Sequence, residues 1–409
     1  MLNPLCLAAA LTFSAVLGGA GDPPAEAPAL FAVHADRIFT CADGRTVSLV
    51  RDGVILVEGK RIRAVGPRSE VQVPAGVAVE SLGDVWVVPG FIEPHCHIAG
   101  TMDINDMSHN ANPELRVLES IVPKNPNVKK ALAGGITAGL YIPGSGTNMS
   151  GFGTIFKMHG STLDEVVVRQ PGALKIAQAG NPERSAGDIG AGRMGMNWLI
   201  RWTLERGREA KDAKAAGKPV PADLQNLVKL WDENVPVLVH TQIFQVVQAT
   251  IRMKDETGLK ISIGHGTFDA FLNGPLVAER GIPVLLGPRQ IHFDRREGRI
   301  YGCAAEYWKR GVEDMGINTD SPVVPQEELP YQAAMAVRHG LGDHKSIPGL
   351  TCVVARALGV FERIGSISAG KDADFVIWTG DPIDPRSVVL RTYVNGQLAY
   401  DAARDGRRF

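Results

Sequence analysis

Two histidines, His95 and His97, close an apolar run from Val85 to Ile92. Side chains two apart on a strand share a face, so both imidazoles reach one pocket at the strand's end. Neutral imidazole is the commonest metal ligand in proteins, and two that converge make half of a zinc site. Downstream, Val-Pro-Val-Leu-Val-His ends in His240 and Leu-Lys-Ile-Ser-Ile-Gly-His ends in His265. Met-Gly-Ile-Asn-Thr-Asp ends in Asp320. Taken singly, each has an ordinary reading: a satisfied histidine at a strand end, or an aspartate capping the next helix. Taken together, five metal-competent residues at four strand ends point to a metal centre.

The elements that must hold these residues follow from patterning. Between the ends of the chain, short apolar strands alternate with amphipathic helices, as in a parallel α/β fold. Strands are expected to end near Tyr141, Met158, Gln178, His240, His265, Leu286 and Thr319, and helices are expected over 194–215, 221–233, 244–256 and 326–338. With the strand before His95 this makes eight strands over about 230 residues, the usual extent of a (β/α)8 barrel. Chemistry in such barrels sits at the carboxyl ends of the strands. One connection fits poorly. Only Gly144 to Gly153 separates the second and third strands, too short for a helical crossover, so it must be irregular or a strand is misplaced. Both termini are rich in short strands and turns. The expected architecture is therefore a distorted (β/α)8 barrel over 89–349 and a small β-sandwich built from both termini, 30–88 and 350–409.

At this point a resemblance becomes specific. The chain resembles the amidohydrolase superfamily from about residue 30 to its C-terminus. Gly-Phe-Ile-Glu-Pro-His-Cys-His resembles the first-strand signature, and Gly365 to Trp378 resembles the return into the β-sandwich. The Gly-Gly-Ile-Thr-Ala-Gly segment from Gly134 is similar to the imidazolonepropionase and prolidase-like branch. The resemblance implies one or two divalent metals, with zinc expected. His95, His97 and Asp320 would bind the inner ion, and His240 and His265 would complete a second site or contact substrate. A carboxylated lysine bridges two metals in binuclear members. Lys175 occupies the matching place on strand four, and Lys157 on the preceding strand competes with it.

The chemistry asks for these residue types. A divalent metal lowers the pKa of bound water from ~15.7 towards ~7 and polarises a carbonyl. Asp320 can then accept the water's proton and pass it to the leaving nitrogen, while His265 serves the carbonyl oxygen or the second metal. Outside the metal residues, Asn148 in the glycine-rich segment Pro143 to Gly153 is a candidate substrate contact. Arg184 and Arg289 are candidates to pair with a substrate carboxylate. The plain alternatives are a tight connection and surface arginines. His109, His159 and His292 are expected near the mouth.

Bulk properties bound the function. A net charge of -1 over 409 residues gives no electrostatic case for nucleic acid or an anionic membrane. Leu5 to Ala20 is almost wholly apolar or small, and a polar, proline-rich stretch follows. Residues 1–20 are therefore expected to be a signal peptide sending the protein to the periplasm or outside the cell, with an uncleaved anchor as the alternative. No stable membrane span is expected after cleavage. Cys41, Cys96, Cys303 and Cys352 lack paired spacing, so buried apolar thiols are expected rather than a disulfide framework. The expected partner is a small amide, cyclic amide or dipeptide, and the resemblance brings in homo-oligomers too. The favoured function is an exported metal-dependent amidohydrolase cleaving a C–N bond. A prolidase-like dipeptidase and a non-catalytic binding protein on the same scaffold are the rivals. Imidazolonepropionase itself fits less well, because an exported enzyme would be misplaced for a cytosolic pathway.

Overall fold

The structure is a computed structural model that describes residues 29–100, 104–184 and 189–406, without the side chain of Arg184. The expected signal segment 1–20 lies outside the described residues. Eight strands form one sheet in the order in which they occur along the chain. They are β1 (Phe91–Cys96), β2 (Ile136–Tyr141), β3 (Met149–Lys157) and β4 (Val167–Ala177), then β5 (Val237–Thr241), β6 (Ile261–His265), β7 (Val284–Leu286) and β8 (Met315–Ile317). Nearly every residue in them is buried, the mark of a sheet covered on both faces. The seam between β8 and β1 is narrow. A parallel bridge joins Cys96 to Ser321, and the His97 N–H donates to the Ser321 carbonyl at 2.8 Å. The sheet is thus a nearly closed barrel.

Strand ends and helices fall close to where patterning puts them. The expected helices appear as Arg193–Ala215, Gln225–Asp232, Phe244–Thr257 and Leu329–Arg338. One strand runs the wrong way for a regular barrel. β3 pairs antiparallel with both β2 and β4, whereas the other neighbouring pairs are parallel. The short connection explains it. The link from Tyr141 to Met149 reverses the chain, as a hairpin does, without room for a crossover helix. The glycine-rich segment is accordingly not a loop throughout, since Met149 to Gly153 belongs to β3.

This reversal corrects the reading of Lys157. The carboxyl end of β3 lies at the opposite face of the barrel from the ends of β1, β4, β5, β6 and β8. Lys157 is buried there with Asp372, at 3.0 Å, and with Asp374. It joins the barrel to the C-terminal sheet and is not a metal bridge. His159 follows on the same face, beside Gln397, and so is not at the mouth either. Breaking a buried ion pair costs about 3–5 kcal/mol. Lys157→Met is expected to lower unfolding stability by about that amount and to leave metal content unchanged, as denaturant titration and metal analysis would read.

The β-rich ends do join. The strands Leu30–Phe39, Leu49–Glu58, Arg61–Pro67 and Trp86–Pro89 form a second sheet with Phe375–Trp378, Val389–Val394 and Gln397–Asp401. Its hydrogen-bonded path is continuous, so the sandwich remains an expectation. The boundary near 350 also shifts. Val354, Ala355, Ala357 and Leu358 pack with Ile92 and Leu285 of the barrel, so the helix Cys352–Ala357 belongs with the barrel core. Among the described residues no helix is long and apolar enough to cross a membrane.

Candidate metal centre

The i, i+2 phase on β1 that aims His95 and His97 at one pocket also aims Glu93 inward. Glu93 is completely buried. Its two oxygens accept from the His95 N–H at 3.0 Å, the Thr319 N–H at 3.0 Å and the Thr319 hydroxyl at 2.6 Å. It therefore ties β1 to the end of β8 and sets His95 beside Asp320. Burial pushes the Glu93 carboxyl up to about 8, against the pull of those three donors. Sequence reading passed over this residue, although it shares the phase of the two histidines.

Asp320 Oδ1 lies 3.3 Å from His97 Nε2 and 3.5 Å from His95 Nε2. Ligand atoms of these three residues all fall within 4.8 Å of one another. The His95 ring centroid is 4.7 Å from that of His265, which is 4.4 Å from that of His240. Lys175, fully buried on β4, has its Nζ 2.8 Å from His95 Nε2. Strand ends thus bring together His95, His97, Lys175, His240, His265 and Asp320. His265 and Asp320 both hold left-handed backbone, at φ of 75° and 51°. This conformation is uncommon outside glycine, although Asp and His are enriched among the residues that adopt it.

Distant backbone carbonyls fix two of the tautomers, and a hydroxyl orients a third ring. His97 Nδ1 donates to the Ile142 carbonyl and His265 Nδ1 to the Gly287 carbonyl, each at 2.7 Å. His240 Nδ1 bonds the Ser145 hydroxyl at 2.8 Å. Such outer contacts orient metal-binding histidines. Gly287 cannot carry a side chain, because a Cβ there would lie 2.0 Å from the Asn318 carbonyl oxygen.

Electrostatics favour the protonation states that a cation needs. Burial pushes His95, His240 and His265 below the ordinary imidazole range, so they are neutral. Burial pushes Asp320 up, but the facing His265, His97 and Lys175 outweigh it and hold it below the usual carboxylate value. Burial lowers the Lys175 ammonium to about 7, with Asp320 opposing.

Two observations test whether the group suits a metal. The Ile142 carbonyl takes His97 Nδ1 and turns its Nε2 towards Asp320 Oδ1 at 3.3 Å, a ring nitrogen and a carboxylate oxygen placed as a cation's ligands are. His265 Nε2 is buried without a hydrogen-bond partner, although its tautomer leaves it a lone pair. The residues fit a divalent ion.

The candidate substrate residues divide. Asn148 precedes β3 at the mouth and is fully buried, and neither atom of its amide has a partner. Arg289 follows β7 and is exposed, its guanidinium 5.1 Å from the Phe268 ring centroid. Arg184 ends the turn Pro182–Arg184, and its side chain lies outside the description. His292 sits beside Phe268 and Phe271.

Residues 303–399 match the Amidohydrolase family. An amidohydrolase from Thermotoga maritima MSB8 superposes with a TM-score of 0.81 at 28% identity, over 91% of this chain and 100% of that one. The chain is thus similar to the amidohydrolase superfamily along most of its length, and it is accordingly a hydrolase acting on carbon–nitrogen bonds. Within it, the similarity is to the imidazolonepropionase and prolidase-like branch. The imidazolonepropionase of Pseudomonas fluorescens is 23% identical over 90% of this chain and 96% of its own length. Amidohydrolase tasK of Hapsidospora irregularis is 24% identical over 85% of this chain, which spans only 40% of that relative.

Proposed function

We propose that this amidohydrolase is a metal-dependent enzyme that opens the C–N bond of a small amide or cyclic amide. One observation carries the reading: the imidazoles of His95, His97, His240 and His265 converge with Lys175 and Asp320 at the barrel mouth. His95, His97 and Asp320 would hold the inner cation. Lys175, as its carbamate, with His240 and His265 would hold a second. A bound divalent ion, zinc by expectation, supplies a water acidic enough to ionise near neutral pH and an electrophile for the carbonyl.

The chain's own residues do the rest. Asp320 Oδ takes a proton from the attacking water and returns it to the departing nitrogen. His265, held by the Gly287 carbonyl, presents Nε2 towards the reacting carbonyl or the second cation. Asn148 offers an unpaired amide to the substrate. The terminal sheet, with Val33, Ile55, Val87, Phe375 and Ile377 in one cluster, would fold over as the expected sandwich. We further propose that residues 1–20 direct export, so N-terminal sequencing of protein recovered outside the cytoplasm should begin near Gly21.

Metal analysis of the purified protein, with a screen of cyclic amides and dipeptides, tests the reading. Ring opening with one or two metals per chain supports the cyclic-amide function. Cleavage of X-Pro dipeptides would instead support the prolidase-like reading and give Arg289 a carboxylate to bind. No turnover after zinc or manganese loading would end the metal-dependent proposal.

A further inference from the structure

Two cysteines far apart in sequence meet in the fold. Cys41 follows the strand Leu30–Phe39 of the terminal sheet, and Cys352 opens the helix Cys352–Ala357 on the barrel. Both are free, and both are completely buried. The two thiols lie close enough to perturb each other's ionisation, and Cys352 donates to the Pro348 carbonyl at 3.9 Å. The hydroxyl of Thr351, next to Cys352, donates to Cys41 Sγ at 3.7 Å. The other two described cysteines have different partners. Cys96 donates to the Leu140 carbonyl at 3.4 Å and Cys303 to the Phe268 carbonyl at 4.0 Å.

We propose that Cys41 and Cys352 are a disulfide-forming pair, a covalent staple between the terminal sheet and the barrel. The surroundings suit the chemistry. The Lys371 ammonium is close enough to be influenced by both sulfurs, and it sits 3.2 Å from the centroid of the Phe361 ring. The neighbouring Cys41 thiol holds the Cys352 thiol below its ordinary value, with Thr351 assisting, while the proximity of Cys352 and burial push Cys41 up. The oxidant is a disulfide carrier, either oxidised glutathione or a protein thiol oxidase. The Cys352 thiolate attacks one carrier sulfur to give a mixed disulfide and releases one carrier thiol. The Cys41 thiolate then attacks the Cys352 sulfur and releases the second. The two protons leave with the two carrier thiols, and the carrier gains two electrons. Because both sulfurs are buried in the folded chain, exchange belongs to folding, before the site closes. The bridge would close a loop over most of the chain, where a crosslink restricts the unfolded ensemble most.

The pairing does not depend on export or on the metal, so it can be tested alone. The full chain is unfolded, reduced and refolded in a buffer of oxidised and reduced glutathione, then digested with trypsin without reduction. A linked pair of peptides covering residues 38–45 and 346–356 is expected, with two fewer titratable thiols than in the reduced chain. The oxidised protein should melt at a higher temperature than the reduced one, and Cys352→Ser should abolish that difference. A full complement of thiols after refolding, or a link from Cys41 to another cysteine, would overturn the proposal. Equal melting of the oxidised and reduced protein would equally overturn the staple.

Discussion

Replacing Lys175 with alanine is expected to cut turnover about a thousand-fold and to remove about one metal ion per chain, on the reasoning that a cation supplies several kcal/mol of charge stabilisation and each ~1.4 kcal/mol is tenfold in rate. Lys175 is completely buried, with its Nζ 2.8 Å from His95 Nε2. An amine in that place has two plausible jobs. As an ammonium it would repel cations and pair with Asp320. As a carbamate it would carry a negative charge and two oxygens, enough to bridge two ions. Burial lowers the ammonium to about 7, so neutral amine, the form that carbon dioxide carboxylates, is abundant near neutral pH. Bicarbonate during metal loading should raise the metal content of the parent protein and leave that of Lys175→Ala unchanged. A short carboxylate such as acetate should restore part of the variant's turnover. Should Lys175→Ala keep its metal and most of its activity, the lysine is an ordinary buried amine and the second cation loses its bridge.

That prediction could be framed from sequence because strand ends are legible. A run such as Leu-Lys-Ile-Ser-Ile-Gly-His announces a buried strand and its terminus together, and a ligand at the terminus stands out. His95, His97, His240, His265 and Asp320 were all readable this way, and the barrel places each of them at the mouth. Strand direction was not readable. A strand buried on both faces has the same apolar pattern whichever way it runs, so nothing within Met149–Lys157 tells that β3 is reversed. Only the short link before it carried that information. The consequence was large, since direction alone decides whether Lys157 faces the metals or the C-terminal aspartates.

The second kind of missing information is non-local. Ser145 orients His240 across 95 residues, Ile142 orients His97 across 45, and Gly287 orients His265 across 22. A serine hydroxyl and two backbone carbonyls have no motif, because the fold rather than the residue type makes them partners. Glu93 is different. It lies two residues before His95 on the same strand face, so the period that revealed the histidines also contained it. A carboxylate within an apolar strand needs a buried partner. Its donors, at Thr319, immediately precede Asp320 and stand across the barrel seam. The same contact therefore closes the barrel and sets the two halves of the inner metal site against each other.

Asp320→Asn isolates the proton-transfer role that this seam supports. Asparagine matches aspartate in shape and tolerates the left-handed backbone that Asp320 adopts at φ 51°. Its amide oxygen can still face His95 and His97, so the variant should fold and keep at least part of its metal. What it lacks is a group that can take a proton from water and hand it to nitrogen. General acid–base groups contribute typically ~10²–10⁴-fold, so kcat should fall by about that factor while KM changes little. Asp320→Ala removes the ligand oxygen as well and should lose both metal and turnover. The contrast between the two variants assigns the residue. Similar metal loss in both would make Asp320 a ligand first, with the turnover defect secondary. Near-normal turnover in Asp320→Asn would take the residue out of proton transfer altogether, leaving the seam at Glu93 and Thr319 as support for a ligand alone.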